Sequence, residues 1–128
     1  MIFASYGLVF GLVIGGIMRL PGMDAVVPAF GINLSVMAAL WLGISIGAAP
    51  PRKVALVEVL VGGVTFVLVA AAMRTTPAWL YMGFGVQIVW SLAHNRIALA
   101  TPSPRWFVPF SAAANLGFFA ALSILVGL

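Results

Sequence analysis

Long apolar runs alternate with short polar breaks along the chain. The breaks "RLPGMD" (19–24), "AAPPRK" (48–53), "RTTP" (74–77) and "ATPSPRW" (100–106) each combine proline with charge and with small or hydroxyl residues, the composition that ends regular structure. Five apolar segments lie between them, about 2–18, 26–48, 54–73, 77–98 and 106–127. An α-helix needs roughly 17–25 residues to cross hydrocarbon, and the first segment sits near that minimum. Their apolarity is continuous rather than alternating, which argues against an outer-membrane barrel, and isolated strands would leave peptide groups unsatisfied in lipid. The pattern predicts an all-α fold: one polytopic transmembrane helix bundle over 1–128, with about five spans and short loops. Thr76 before Pro77 and Ser103 before Pro104 read as N-caps followed by proline at the first helical position, where the missing N–H costs nothing.

Composition strengthens the membrane reading. Of 128 residues, 64% are hydrophobic and 6% charged, with mean hydropathy +1.23, far from a soluble domain. The net charge of +4 does not point to nucleic acid, because the six basic residues stand singly or as one pair and form no basic face. The absence of cysteine removes disulfides, thiolate metal sites and iron–sulfur clusters. The N-terminal "MIFASYGLVFGLVIGGIM" has no basic n-region and no small-residue cleavage site, so it reads as a first transmembrane helix that is retained.

Five crossings put Arg52, Lys53, Arg96 and Arg105 on the side of the N-terminus, and Arg19 and Arg74 on the other. Basic residues concentrate in cytoplasmic loops, so the expected arrangement is N-terminus in and C-terminus out, in a bacterial inner membrane. Trp79 and Tyr81 at one interface, and Trp106 and Phe107 at the other, suit aromatic belts, whereas Trp41 and Trp90 lie too deep for that role. No internal repeat is visible, and an odd number of spans argues against an inverted-repeat transporter within one chain.

Three series of small residues recur every four positions: Gly7, Gly11, Gly15; Ser35, Ala39, Gly43, Gly47; and Ala113, Gly117, Ala121. Each forms a groove on one helix face where another backbone can come close. Packing within one bundle accounts for such grooves first. Three on five helices exceed what an isolated bundle needs, which adds association with copies of the same chain or with other membrane subunits.

Ionisable residues at membrane depth are functional candidates by default. Glu58, with Gly62 and Thr65, forms one stripe; Gln87, Ser91 and His94 form a second on the next segment. Antiparallel neighbours bring Glu58 and His94 to similar depth, where a hydrogen bond or ion pair is allowed. Asn115 lies level with Gln87, where an interhelical amide contact would extend the line, and Asn33 is a further polar candidate nearer the other side. Interhelical glue is the first reading of these residues, at roughly 0.6–2 kcal/mol per contact. A proton or cation path follows, since carboxylate and imidazole exchange protons near neutral pH. Haem or pigment ligation by His94 comes next, then lipid-headgroup contact by His94, Asn95 and Arg96 at the interface. No second histidine, acidic dyad, cysteine nucleophile or phosphate loop points to an enzyme.

"VEVLVGG" with Glu58, the Trp90–His94 spacing in "WSLAH" and the link through Pro102, Pro104 and Pro109 to "FSAAAN" resemble a domain-of-unknown-function family of small bacterial polytopic membrane proteins, over roughly the C-terminal 75 residues. That family's pattern has an acidic residue after the tryptophan and a second histidine after the first. Here Ser91 and Asn95 stand there, which weakens any metal site the resemblance would imply; the family implies bacterial context and no activity.

The expectation placed first is a non-catalytic integral membrane protein that packs through its glycine faces as a homo-oligomer or an accessory subunit. The alternative is a small oligomeric transporter or channel for protons, an ion or a small solute, using Glu58 and His94. A third is haem or pigment binding through His94; otherwise no cofactor, metal or nucleic-acid partner is expected.

Overall fold

A computed structural model describes residues 2–94 and 96–127. Five α-helices form: α1 (Ile2–Ile17), α2 (Val26–Ala48), α3 (Arg52–Arg74), α4 (Ala78–Ala93) and α5 (Phe107–Val126), with a 3-10 turn at Met23–Ala25 ahead of α2. No strand occurs among the described residues. Three helical stretches, Met23–Ala48, Arg52–Arg74 and Phe107–Val126, are long and apolar enough to cross a membrane.

The expected five spans are thereby corrected to three by length, because α1 and α4 have 16 residues each. At 1.5 Å per residue each regular helix is roughly 24 Å long, short of the ~30 Å hydrocarbon core. Turn bonds continue α1 past its end, from Met18 to Ile14, Arg19 to Gly16 and Leu20 to Ile17.

The helices run alternately up and down. Gly7 faces Phe110, Gly11 faces Ala114 and Gly15 faces Ala121, in step, so α1 and α5 are parallel. Gly62 against Leu42, and Gly31 against Val69 and Met73, make α2 and α3 antiparallel. A hydrogen bond between Ser91 and Ser111 joins α4 to α5. The start of α1, the α2–α3 link and the α4–α5 loop therefore share one end, here called the basic end because it carries Arg52, Lys53, Arg96 and Arg105, all exposed.

Two of the three small-residue grooves meet each other. A Cβ on Gly7 would strike the Phe110 carbonyl, and one on Gly11 the Ala114 carbonyl; one on Gly117 would lie 2.7 Å from the Leu8 carbonyl. Only glycine admits such backbone contact, so α1 docks on α5 along Gly7, Gly11 and Gly15 against Gly117 and Ala121. Ala113 sits beside that seam, lining a surface crevice with Ala4 and Leu116. The α2 groove behaves differently. Ala39, Gly43 and Gly47 are exposed, a Cβ on Gly43 or Gly47 meets open space, and Ser35 spends its hydroxyl on the Gly31 carbonyl.

The apolar core packs Phe30, Leu34, Leu80, Phe84, Phe118 and Leu122 from α2, α4 and α5. Phe30 meets Phe84 and Phe118 edge-on, at 6.2 and 6.3 Å between centroids, the geometry aromatic quadrupoles prefer. Large exposed apolar side chains line the outside of α1 and α3, among them Val9, Val13, Leu60 and Val67, as lipid contact requires.

Several local expectations shift. The fourth segment leaves the helix at Ala93, not near residue 98, because His94 turns the chain to ψ 143° and the loop brings Thr101 back to Glu58. Helix α5 starts at Phe107 with Trp106 as its cap. Ser103 therefore does not cap it, a turn from the Phe107 N–H to the Pro104 carbonyl intervening. Pro77 precedes α4, and the Thr76 hydroxyl accepts the Ala78 N–H at 3.4 Å, as a cap would. Trp106 is exposed as a belt residue should be, but Phe107 is buried because it packs edge-on against Trp41 at 4.8 Å.

Candidate functional site

The two polar stripes face each other. Glu58 on α3 and His94 at the end of α4 meet at 3.1 Å between Oε1 and Nε2. Two turns further along α3 is Thr65; two turns back along α4 is Gln87. They meet as well, the Gln87 amide N–H donating to Thr65 Oγ1 at 2.8 Å. A repeat of two helical turns on both antiparallel helices keeps both rungs on one seam. All six stripe residues, Glu58, Thr65, Gln87, Ser91, His94 and Asn115, are buried.

Glu58 is held from three sides. Its Oε1 also accepts the Thr101 backbone N–H at 2.9 Å, and its Oε2 accepts the Trp90 indole N–H at 3.0 Å. Thr101 belongs to the loop that follows α4, and its hydroxyl donates to Ser45 on α2 at 3.1 Å. The His94 ring stacks on Trp41 at 3.8 Å and lies edge-on to Trp90 at 5.0 Å. Helices α2, α3 and α4 and the returning loop thus converge on one carboxyl–imidazole pair, with both side chains at most 1% exposed.

Hydrogen-bond accounting fixes the protons of this pair. His94 Nδ1 lies 2.9 Å from the Trp90 carbonyl, which can only accept, so Nδ1 carries a hydrogen. One proton must then lie between Nε2 and Glu58 Oε1, either on the imidazole facing a carboxylate or on the carboxyl facing a neutral ring. The pair is net neutral in both forms. Donors from Trp90 and Thr101 and the π-face of Trp41 favour the charge-separated form; the apolar surroundings favour the neutral one.

The line continues away from the basic end. Ser91 and Ser111 hydroxyls meet at 3.1 Å. One turn from that contact, back along α4 and forward along α5, Gln87 and Asn115 come level. The expected amide contact between them does not form: each NH2 turns to an acceptor on or beside its own helix, and neither reaches the other's oxygen. Gln87 gives its hydrogen to Thr65, whose own hydroxyl donates to the Val61 carbonyl, and Asn115 donates to the Ser111 carbonyl at 2.9 Å. Gln87 Oε1 and Asn115 Oδ1 are left buried without a donor, and so is the Asn33 amide nitrogen without an acceptor. Each of these buried oxygens keeps its acceptor capacity.

Chemically, the pair can hold and pass one proton. Both His94 nitrogens are engaged and one ring face is covered by Trp41, so axial ligation of a haem or pigment would require breaking a hydrogen bond. No group of three metal-ligating side chains comes together among the described residues. Arg96 is exposed and lines a surface cavity of about 520 Å³ with Pro50, Pro51 and Pro102. Asn95, an expected headgroup contact, lies outside the described residues.

Trp41, Trp90, Ser45, Thr101 and Ser111 complete the site without having been singled out as its members. The depth of Trp90 was the available signal, since an indole N–H away from the interface needs a buried acceptor, whereas Trp41 joins by stacking on His94 and its own indole N–H meets no acceptor among the described residues. Thr101, inside a proline-rich break, carried no signal. No family model, curated protein or solved structure matches the chain, so its function is to be read from this geometry.

Proposed function

We propose that the protein is a small transporter or channel of the bacterial inner membrane that moves protons, or couples a proton to a small solute, through the Glu58–His94 pair. The observation that carries this reading is the buried contact of the Glu58 carboxyl with the His94 imidazole at 3.1 Å between Oε1 and Nε2, the one ion pair among the described residues. A purely structural contact between helices needs only a neutral hydrogen bond, as Ser91 and Ser111 make. A carboxyl and an imidazole add a transferable proton at considerable desolvation cost. On this reading α1 and α4 cross beside the three longer helices, the turns after α1 and the turns leading into α4 lengthening both, the N-terminus is cytoplasmic, and the chain is not an enzyme.

Purified protein in liposomes enclosing a pH-sensitive dye, energised by a potassium gradient with valinomycin, tests the proposal. Wild type should carry protons above protein-free vesicles. Glu58→Gln, which keeps shape but removes the transferable proton, and His94→Ala should fall to the vesicle baseline while eluting normally on size exclusion. Wild-type flux at baseline, or undiminished flux in Glu58→Gln, would overturn it.

The second reading keeps the protein as a non-catalytic subunit that associates with itself or with other membrane proteins. The open α2 face at Ala39, Gly43 and Gly47 favours it, being the one groove that the chain leaves unfilled. The two readings are compatible, since a small transporter is commonly an oligomer.

A further inference from the structure

A crevice of about 340 Å³ opens between α2 and α3 beside the carboxyl pair, lined by Leu42, Ser45, Ile46, Ala55, Glu58 and Val59 among others. Its rim residues Ile46 and Val59 are exposed on the apolar outside of the bundle, so the mouth faces the lipid-contacting side. Its volume lies at the small end of the roughly 300–1,000 Å³ of small-molecule sites. Of the named walls only Ser45 and Glu58 are polar, and both are buried, at 4% and 2% exposure.

We propose that this crevice binds a small lipophilic organic cation, an ammonium on an apolar body, which displaces the proton shared by Glu58 and His94. The inference rests on the proton-carrying reading of that pair. Among the described residues Glu58 Oε2 accepts only the Trp90 N–H, leaving acceptor capacity for a second donor. Ser45 Oγ accepts only from Thr101 and likewise keeps a lone pair. An ammonium donating to both atoms would sit with its apolar body against Leu42, Ile46 and Val59. A neutral alcohol matches the walls but not the carboxylate, and an anion is repelled by it.

The exchange balances. The cation arrives with one positive charge at a neutral pair; afterwards it faces the Glu58 carboxylate, the hydrogen bond between Oε1 and Nε2 is broken and those two acceptors move apart, His94 is a neutral imidazole with hydrogen on Nδ1, and one proton has left to water. The crevice reaches Ala49 and Pro50 at the basic end, where Arg52 and Lys53 are exposed at the start of α3, and Arg96 and Arg105 are exposed in the α4–α5 loop. They disfavour cation entry past the basic end, which leaves the lateral mouth as the route.

Benzylammonium, with benzyl alcohol and benzoate as controls, is the probe. Calorimetric titration of the full-length protein in nanodiscs, against empty nanodiscs and in two buffers of different ionisation enthalpy, reads both binding and proton release. Benzylammonium should bind and release about one proton per protein. Benzyl alcohol should bind at least tenfold more weakly with no release, and benzoate should not bind. Ala55→Leu, which fills the crevice, should weaken benzylammonium at least tenfold with normal size-exclusion elution, and Glu58→Gln should abolish proton release. No benzylammonium binding by a protein that carries protons in liposomes would overturn the crevice assignment alone, as would binding unchanged in Ala55→Leu. Binding without proton release, by a protein with baseline flux, would overturn the proton reading on which the exchange rests.

Discussion

Trp90 occupies the residue on which both halves of the proton pair depend. Its carbonyl receives the His94 backbone N–H at 3.1 Å and the ring Nδ1–H at 2.9 Å, and its indole N–H holds Glu58 Oε2. Trp90→Phe keeps the backbone acceptor and most of the ring but leaves the carboxyl one donor short. The expected loss is about 1.5 kcal/mol, high for an interhelical hydrogen bond in a bilayer because the acceptor is a carboxyl. Thr101→Ala retains the main-chain N–H that reaches Oε1 and loses only the Ser45 contact, so it should cost less than half as much. Equilibrium unfolding in mixed micelles measures both, and equal losses would contradict this division of roles. Much of the site was legible at this scale. The spacing of Glu58 and Thr65 against His94 and Gln87 encodes two rungs of one antiparallel seam, and short loops make neighbours antiparallel. What the sequence concealed are contacts set by the loop's path: a backbone amide such as that of Thr101 has no side-chain signature. The Gln87–Asn115 contact failed for a different reason, since the Gln87 amide is turned toward Thr65 and the Asn115 amide toward the Ser111 carbonyl of its own helix.

Helices here are joined by what side chains they lack. Gly11 lies against the Ala114 carbonyl and the Gly117 Cα, so Gly11→Leu must force α1 away from α5. Overpacking of this kind costs about 1–3 kcal/mol where side chains can adjust, and a backbone obstacle adjusts least. Gly11→Leu is expected at or above the top of that range. Gly43→Leu projects into open space and should leave the thermal stability of the monomer in detergent within about 0.5 kcal/mol of wild type, as exposed sites usually do. If copies associate through α2, the same Gly43→Leu change lowers the oligomer fraction seen by light scattering in mild detergent. An oligomer undisturbed by it would remove the α2 face from the interface. The number and order of helices were plain from the breaks because lipid-facing helices are apolar on nearly every side. Their ends were less so. Ile97, Ala98 and Leu99 prolong the apolar run past α4, yet the chain has already turned to bring Thr101 to Glu58, a contact distant in sequence to which hydropathy is blind. Likewise Ser103 and Pro104 look like a cap and first turn, but α5 begins at Phe107.

At the scale of the whole molecule the polar line is lopsided, and the orientation of the bundle decides what that asymmetry means. Glu58 stands six residues after Arg52, where α3 begins, or about 9 Å along the axis, while Gln87 and Asn115 lie deeper and no comparable charge pair occurs among the described residues toward Arg19 and Arg74. A proton leaving the pair therefore has a short way to the basic end and a longer one past the two unpaired amide oxygens. Basic residues favour the cytoplasmic side, and the four at this end against two at the other predict that the short way leads to the cytoplasm. The chain contains no cysteine, so single substitutions at exposed loop positions report each side without background. Thr76→Cys, at the Arg74 end, should react with a membrane-impermeant maleimide in intact cells stripped of their outer membrane. Ala98→Cys, in the α4–α5 loop, should react only after the inner membrane is permeabilised. The reverse pattern would place Arg52, Lys53, Arg96 and Arg105 outside, and the pair would then exchange protons most directly with the external medium. The α2–α3 crevice would move with it to the outer leaflet, so the labelling pattern also sets the leaflet from which an organic cation would enter.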